Sequence, residues 1–343
     1  MTTMKRIALA RRPVGEPVDE DFRLEEIAMP EPGEGEVLVE VLYLSLDPYM
    51  RGRMDDAKSY SAPVPIGGTM EGGAVGRVIK SNDPSLAEGD HVFGMFGWAS
   101  HGVQPAKMCR KLDASAPLSA ALGVLGMPGF TGWHGLTEYG RPKAGETLVV
   151  AAATGPVGSM VGQVAKSMGL RVIGIAGGAD KCAMATETFG FDVCLDHRAY
   201  DSAADLRKAI AAEAPNGVDI YFENVGGMVL EAVLPLMNVG GRIPVCGMIA
   251  WYNAGALGEG AENQITGPKL WRTILVNRLA VTGFIISDHW ARYPEFLKTI
   301  APEVASGRIT YVEDVADGLE NAPQAFMGLL KGKNVGKQVV KIA

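Results

Sequence analysis

The chain has 343 residues, of which 47% are hydrophobic and 21% are charged, a composition that excludes a disordered or collagen-like protein. At roughly 150 residues per domain, the length predicts about two domains. The formal net charge of −7 makes nucleic acid and anionic membrane poor partners. No apolar run approaches the ~20 residues of a membrane span and the N-terminus lacks a signal-peptide core, so a cytoplasmic location is predicted.

Residues 6–112 consist of short β-rich runs separated by turns. The clearest alternation is EVLVEVLYLSLD at 36–47, and GGAVGRVIKS and GDHVFG are typical of further strand and turn pairs. This pattern predicts a mostly antiparallel, barrel-like β domain.

Beyond the Pro- and Gly-marked segment LGVLGMPGFTGWHGL, apolar strands of about six residues alternate with helical stretches near 156–168, 181–189, 203–214 and 228–237. The predicted strands are TLVVAA, RVIGIA, DVCLD, VDIYFENV, RIPVCGM and AVTGFII. Strands this apolar are covered on both faces, which predicts an α/β domain with a doubly wound parallel sheet.

The C-terminal residues contain two helical stretches, 293–305 and 316–331, and then the strand KQVVKI. A β terminus suggests that the tail rejoins the first domain, so that the nucleotide-binding domain is inserted in a discontinuous one. The predicted division is 1–125 for the first part of the β domain, 126–292 for the nucleotide-binding domain and 293–343 for the return.

A glycine turn follows the first apolar strand, in the order Ala153, Thr154, Gly155, Pro156, Val157, Gly158. Gly155 is expected to form the tight turn, Pro156 suits the first helical position, and Gly158 allows the helix N-terminus to approach a pyrophosphate. Glycines that merely pack a helix on a strand are the alternative; the strand, turn and helix context favours dinucleotide binding.

The end of the second strand indicates which dinucleotide is bound. NAD enzymes usually place Asp or Glu there for the ribose hydroxyls, whereas RVIGIA is followed by Gly177, Gly178 and, after Ala179 and Asp180, by Lys181. The two glycines leave space for a 2′-phosphate on the adenosine ribose, and Lys181 supplies a cation close behind it, which favours NADPH. Lys181 as a solvated lysine at a helix start is the competing interpretation, and the adjacent Asp180 weakens the charge argument.

The fourth strand ends in FENVGG, which places Asn224 at the crevice where the nicotinamide half of the cofactor is expected. Asn224 is a candidate contact to the ribose or carboxamide. A turn-forming role for Asn-x-Gly-Gly is the alternative, and the two roles are compatible.

Six segments in order resemble one family over essentially the whole chain: LSLDPYMRGRM, VLGMPGFTG, AAATGPVGSMVGQVAK, IAGGADKC, YFENVGG and LLKGKNVGKQVVKI. They are similar to the zinc-independent medium-chain dehydrogenase/reductases. Within that family the resemblance is to the leukotriene/prostaglandin reductase and double-bond reductase branch, which includes bacterial curcumin reductases.

The resemblance implies a GroES-like β-barrel catalytic domain, a Rossmann domain, a homodimer, and NADPH-dependent reduction of the C=C bond of α,β-unsaturated ketones or aldehydes. By matching position it implies cofactor contacts that include Asn334, and substrate contacts from Tyr49 and Tyr252. His197 stands near the expected adenosine phosphate, where many members carry Tyr, and would make phosphate affinity sensitive to pH. The complete predicted set is Gly155, Pro156, Val157, Gly158, Gly178, Lys181, His197, Asn224 and Asn334 for the cofactor, with Tyr252 and Tyr49 as catalytic residues.

Hydride addition to an enone builds negative charge on the carbonyl oxygen, so the reaction needs a hydrogen-bond donor there and a proton for the α-carbon. Tyr252 is the favoured enolate-stabilising group, directly or through water. Tyr49 as a packed core tyrosine is nearly as good an interpretation as a catalytic one. The segment 254–264 is predicted to be a flexible polar cover.

No metal is predicted. The positions that hold catalytic zinc in the wider superfamily lack Cys in LSLD and carry Met70 in GGTMEG, while the other four histidines are scattered singly. A zinc-free quinone reductase is the nearest alternative function, and a non-catalytic NADPH-binding sensor is the alternative from another class.

Overall fold

A computed structural model describes residues 2–113, 116–254 and 265–343. Within these residues the chain forms two compact units. The first unit takes in residues up to 126, 252–254 and 313–343, and the second takes in 127–251 and 265–312.

The strands of the described residues are β1 (Thr3–Leu9), β2 (Phe22–Ala28), β3 (Glu36–Ser45), β4 (Ala74–Ser81), β5 (His91–Gly94), β6 (His101–Pro105), β7 (Arg110–Lys111), β8 (Thr147–Ala151), β9 (Arg171–Ala176), β10 (Val193–Asp196), β11 (Val218–Phe222), β12 (Met237–Val245), β13 (Ala280–Gly283), β14 (Glu313–Asp317) and β15 (Lys337–Lys341). The helices are α1 (Met50–Arg53), α2 (Met127–His134), α3 (Pro156–Ser167), α4 (Ala179–Glu187), α5 (Ala203–Glu213), α6 (Gly227–Val233), α7 (Gly267–Asn277), α8 (Tyr293–Ala305) and α9 (Ala322–Leu330). None of these helices is both long and apolar enough to cross a bilayer.

The first unit is built on a mostly antiparallel sheet with the strand order β14-β15-β3-β4-β5-β7, and β6 also pairs with β3. Its core includes a cluster of three aromatic rings, in which Trp98 stacks on Phe22 at 5.7 Å and meets Phe326 edge to face at 5.4 Å between centroids. The C-terminal strand β15 pairs antiparallel with β3 and is therefore part of this unit.

The second unit contains a parallel sheet with the order β10-β9-β8-β11-β12-β13. Read from β8 outward, this is the order of a Rossmann sheet, and the direction of winding reverses between β8 and β11. The predicted fold class is confirmed: an α/β chain with a doubly wound parallel sheet and a separate β-sheet domain. The carboxyl ends of β8, β9 and β11 meet at one edge of the sheet, which is where such folds bind nucleotides.

The structure differs from the predicted elements in four places. The helix predicted at 316–331 begins only at Ala322, because residues 316 and 317 pair with β15 as the end of β14. Helix α8, predicted to belong to the returning segment, packs in the second unit because the buried ring of Phe296 lies 5.5 Å from Phe130 and 5.9 Å from Trp133. The predicted helix at 228–237 ends early, since Pro235 lies in a 3-10 turn and β12 begins at Met237. Helices α2 and α7 lie in segments for which no helix was predicted.

Candidate functional site

The turn after β8 places the N-terminus of α3 at the carboxyl edge of the sheet. Gly155 is the N-cap residue and its N–H donates to Ala152 O at 3.1 Å, while Pro156 takes the first helical position. Gly155 thus closes the tight turn that begins at Ala152, but it does so in a conformation open to other residues. Gly155 has φ of −69°, and the left-handed residue is Ala152, with φ of +52°.

The two glycines of this turn differ in how closely an added side chain would meet the backbone. A Cβ on Gly158 would lie 2.3 Å from Ala152 O, so only glycine allows the helix to approach the turn this closely. A Cβ on Gly155 would lie 3.4 Å from the same oxygen, an ordinary contact. The first-turn N–H groups of Val157 and Gly158 have no intrahelical acceptor. They fit the diphosphate of a dinucleotide, whose charge the helix N-terminus stabilises.

The turn after β9 is shaped by the carboxylate at the end of the neighbouring strand. Gly178 has φ of +107° and is the N-cap residue of α4, and its N–H donates to Asp196 Oδ1 at 2.8 Å. The same oxygen accepts the N–H of Arg198 at 2.9 Å. Asp196 therefore joins the two turns at the adenosine end of the site.

Two basic side chains lie beside Gly177, and a third acts on one of them. A Cβ on that glycine would meet Arg198 Nε at 2.9 Å and His197 Nε2 at 3.0 Å. Burial, and then the charges of Arg198 and Lys181, lower the pKa of His197, so its ring is neutral near pH 7. Two cations and a neutral imidazole that can donate a hydrogen bond fit a phosphate monoester at the adenosine ribose. Sequence reasoning missed Arg198; its only signal was a basic residue directly after His197.

At the end of β11, the side chain of Asn224 donates from Nδ2 to Ala151 O at 2.8 Å, which ties the ends of β11 and β8 together. The preceding Glu223 is 3% exposed, and its Oε1 accepts the N–H groups of Val225 at 2.6 Å and Gly226 at 2.8 Å. Burial raises the pKa of Glu223, and these N–H bonds oppose that rise. Glu223 thus fixes the turn that carries Asn224, a role that sequence reasoning missed.

The 3-10 turn Ile249–Ala254 follows β12 and is held against this Asn224 turn. Ile249 N–H donates to Asn224 O at 3.2 Å, and Ala250 N–H donates to Val225 O at 3.0 Å. Tyr252 lies in the same 3-10 turn and is half-buried. The predicted cover begins at residue 254, and its residues 255–264 lie outside those described.

Tyr49 belongs to the first unit, where it directly precedes α1 and packs against the core while remaining half-buried. Burial, together with the charges of Asp47 and Glu71, raises the pKa of Tyr49 well above its ordinary value. The phenol therefore stays protonated at physiological pH and keeps its O–H as a donor. The packed interpretation and the catalytic one are compatible in this geometry.

Asn334 also belongs to the first unit, in the turn before β15. Its Nδ2 donates to Gly336 O at 2.8 Å, so the side chain closes its own turn. It lines an open depression of about 350 Å³ together with Asp314 and Gln338. The structure thus brings Gly155–Gly158, Gly178, Lys181, His197 and Asn224 to one sheet edge of the second unit, whereas Tyr49 and Asn334 are positioned by the first.

Both halves of the chain match family models. Residues 5–112 match one described as the N-terminal domain of oxidoreductase, and residues 156–302 match one described as zinc-binding dehydrogenase. An NADPH-dependent curcumin reductase from Escherichia coli is 54% identical over 341 residues, 99% of this chain and 97% of the relative. The chain belongs to the zinc-independent medium-chain dehydrogenase/reductases.

Two further relatives agree with this family and its double-bond reductase branch. A 2-alkenal reductase (NADP⁺-dependent) from Nicotiana tabacum is 41% identical, covering 99% of this chain and 97% of that protein. The solved structure of CurA from Vibrio vulnificus in complex with NADPH superposes with a TM-score of 0.92 at 49% identity and covers 99% of both chains. The predicted family is confirmed.

Zinc, which one family description mentions, does not fit the side chains that the structure places together. Among the described residues, no three His, Cys, Asp or Glu side chains converge in the way a metal site requires. His134 and His289 are close, with ring centroids 4.3 Å apart, but they lie within an aromatic cluster around Phe130, in which burial lowers the pKa of His134 to about 4. No step of the proposed reaction is assigned to a metal.

Proposed function

We propose that this medium-chain reductase uses NADPH to reduce the C=C bond of α,β-unsaturated ketones and aldehydes. The observation that carries the cofactor choice is the basic cluster of His197 and Arg198 beside Gly177, with Lys181 near enough to act on His197. Asp196, the carboxylate at the neighbouring strand end, already accepts two backbone N–H groups. The relatives named as curcumin reductase and 2-alkenal reductase support the C=C bond as the reacting group.

The residues of the second unit bind and orient the cofactor in this proposal. The first-turn N–H groups of Val157 and Gly158 bind the diphosphate, and the basic cluster binds the 2′-phosphate. Asn224, held by its bond to Ala151 O and by the Glu223-fixed turn, contacts the nicotinamide half. The bound NADPH supplies the hydride that is transferred to the β-carbon of the substrate.

The tyrosines manage the charge and the proton. As the C–H bond forms at the β-carbon, the π pair of the C=C bond shifts to join the α-carbon and the carbonyl carbon, and the π pair of the C=O bond moves to the oxygen. We assign the hydrogen-bond donor for that oxygen to Tyr252. The α-carbon then takes a proton from Tyr49 or water, which gives the saturated carbonyl compound and NADP⁺. A neutral phenol is the form this requires, and burial keeps Tyr49 neutral.

The decisive experiment is a panel of enones, enals, quinones and saturated ketones in which NADPH consumption and products are both measured. With NADPH deuterated at the transferred position, the proposal expects a saturated ketone that retains its carbonyl and carries deuterium on the β-carbon. Turnover of quinones alone would support the quinone reductase alternative. Tight NADPH binding with no turnover would support the sensor alternative.

We further propose that the protein is a homodimer. Helix α7 turns Leu270 and Ile274 toward the core, yet the adjacent face of the helix exposes Trp271 by 70% and Leu275 by 76%. An exposed apolar face of this kind is typical of an interface. Light scattering is expected to give twice the chain mass, and Trp271→Glu combined with Leu275→Glu is expected to give the monomer. A monomeric wild type would contradict this part of the proposal.

The proposal also places the enzyme in the cytoplasm. Its four cysteines are free thiols, which agrees with a reducing compartment. Fractionation of cells that express the protein tests the location.

A further inference from the structure

A buried guanidinium in the first unit has far fewer hydrogen bonds than it can make. Arg53 is 3% exposed, and its Nη1 donates only to Ser61 O, at 3.4 Å, while its Nε lies 3.5 Å from Glu71 Oε2 and has no hydrogen-bond partner. A guanidinium carries five N–H donors, and leaving them unsatisfied in a buried site is costly. Arg53 therefore calls for a role other than simple structural pairing.

Arg51, on the same short helix, shows what a structural arginine looks like here. It is 1% exposed, its Nη1 lies 2.6 Å from Asp55 Oδ1, and its Nη2 donates to Gly15 O at 2.9 Å. Both arginines have an Nε without a hydrogen-bond partner, but Arg51 has a close carboxylate and a good backbone acceptor where Arg53 has only long contacts. Arg51 is thus a matched control for Arg53.

The guanidinium of Arg53 contacts two tyrosine rings. Its Cζ lies 4.3 Å from the ring centroid of Tyr60, which is 57% exposed, and 5.7 Å from that of Tyr49. Both distances fall within the range of a cation–π interaction. The positive charge is held beside Tyr49, where Asp47 and Glu71 otherwise make the surroundings negative.

We propose that Arg53 is a positioning residue for Tyr49, and this inference rests on the proposed function. The guanidinium holds the ring of Tyr49 in one orientation. Its charge offsets those of Asp47 and Glu71 while negative charge builds on the phenol oxygen of Tyr49, as that group gives its proton to the α-carbon. The unfilled N–H donors leave that charge less neutralised than the charge of Arg51, which faces a carboxylate at 2.6 Å.

A double-mutant cycle tests this coupling through single-turnover proton transfer to the α-carbon, read as the rate at which the saturated product forms. Arg53→Gln is expected to slow transfer about tenfold in wild type but less than about twofold in Tyr49→Phe, since coupled neighbours are not additive. Arg53→Lys retains the charge and is expected to recover part of the rate. Arg51→Lys, the control, is expected to change both backgrounds by the same factor. Equal losses from Arg53→Gln in both backgrounds would overturn the inference.

A second readout requires no turnover. 4-Nitrophenol, bound to the enzyme with NADP⁺, stands in for a substrate whose oxygen carries negative charge, and its absorbance reports the fraction ionised. The ratio of bound phenolate to bound phenol is expected to be about fivefold higher in the wild type than in Arg53→Gln. In the Tyr49→Phe background, Arg53→Gln is expected to leave this ratio unchanged. No binding by the wild type, or an equal preference in both proteins, would count against the inference. A wild type that shows this preference but reduces no enone would refute the proposed function alone.

Discussion

The glycine turn offers the sharpest test of the site, because its two glycines meet the rest of the protein so differently. Alanine at position 158 would place Cβ 2.3 Å from Ala152 O, whereas alanine at position 155 would place it 3.4 Å from that atom. The obstacle at 158 is backbone, which cannot rotate away. Gly158→Ala therefore tests packing and binding together, and Gly155→Ala tests binding alone.

The magnitudes follow from these contacts. Overpacking lowers the free energy of unfolding by about 1–3 kcal/mol, and the higher helix propensity of alanine raises it by up to about 1 kcal/mol. Gly158→Ala should therefore lower the free energy of unfolding by about 1–2 kcal/mol. At about 2–4 °C per kcal/mol, the melting temperature should fall by about 2–8 °C. For Gly155→Ala, an entropic gain of about 0.4–1 kcal/mol opposes a similar loss of N-cap preference, so its melting temperature should stay within about 3 °C.

NADPH binding should be weakened by Gly155→Ala even though the stability of that variant stays nearly unchanged. A methyl group at position 155 stands where the diphosphate approaches the first turn, and hydrogen bonds to charged groups are worth about 1.5–3 kcal/mol, so NADPH should bind Gly155→Ala about 10- to 150-fold more weakly. Calorimetric melting of the free protein and fluorescence titration with NADPH measure the two quantities separately. Wild-type NADPH affinity in Gly155→Ala would refute the placement of the diphosphate at this turn.

Four further predictions address the charged and catalytic residues. Lys181→Ala should weaken NADPH binding about tenfold, a loss that allows for the partial exposure of Lys181, and should leave NADH binding nearly unchanged. Equal losses in titrations of both cofactors would show that Lys181 does not contact the 2′-phosphate. The pKa of His197 is lowered in the free protein and a phosphate dianion raises it, so NADPH binding should take up a proton. As the pH falls from 8 to 6.5, the dissociation constant of NADPH should therefore decrease more steeply in wild type than in His197→Gln. Parallel pH profiles in the two proteins would place the ring away from the phosphate. Tyr252→Phe should slow single-turnover enone reduction about 100-fold with NADPH affinity within about twofold, and unchanged hydride transfer would contradict its role. Lys337 is 3% exposed and its Nζ lies 2.9 Å from Asp47 Oδ1, which makes a buried ion pair. Lys337→Met should therefore lower the free energy of unfolding by about 3–5 kcal/mol, and replacing Asp47 by Asn as well should recover part of that loss in calorimetry. An unaffected melting temperature in the single variant would refute this prediction.

The sequence predicted the frame of the second unit because its signals are local. Apolar strands of five or six residues alternating with helices indicate a parallel sheet. A glycine turn between the first strand and its helix indicates a phosphate site. Two glycines, and no acid, stand directly at the end of the strand RVIGIA, which indicated NADPH. The named relatives agree with that cofactor.

Other features depended on contacts between segments distant in sequence. Helix α8 belongs to the second unit because Phe296 packs on Phe130, more than 160 residues earlier in the chain. Arg198 joined the phosphate cluster only when the turn after β10 came beside Gly177. Glu223 showed its role through the backbone N–H groups it accepts.

The sequence by itself determined the fold class, the alternating strands and helices of the parallel sheet, and the family, because periodicity and short motifs are written along the chain. Only the tertiary structure decided which glycine is sterically indispensable and which basic side chains meet at Gly177. It also decided that Arg51 has a carboxylate at 2.6 Å while that of Arg53 lies 3.5 Å away. These outcomes depend on distances of 2–6 Å between atoms that chain connectivity does not bring together, and packing alone sets such distances.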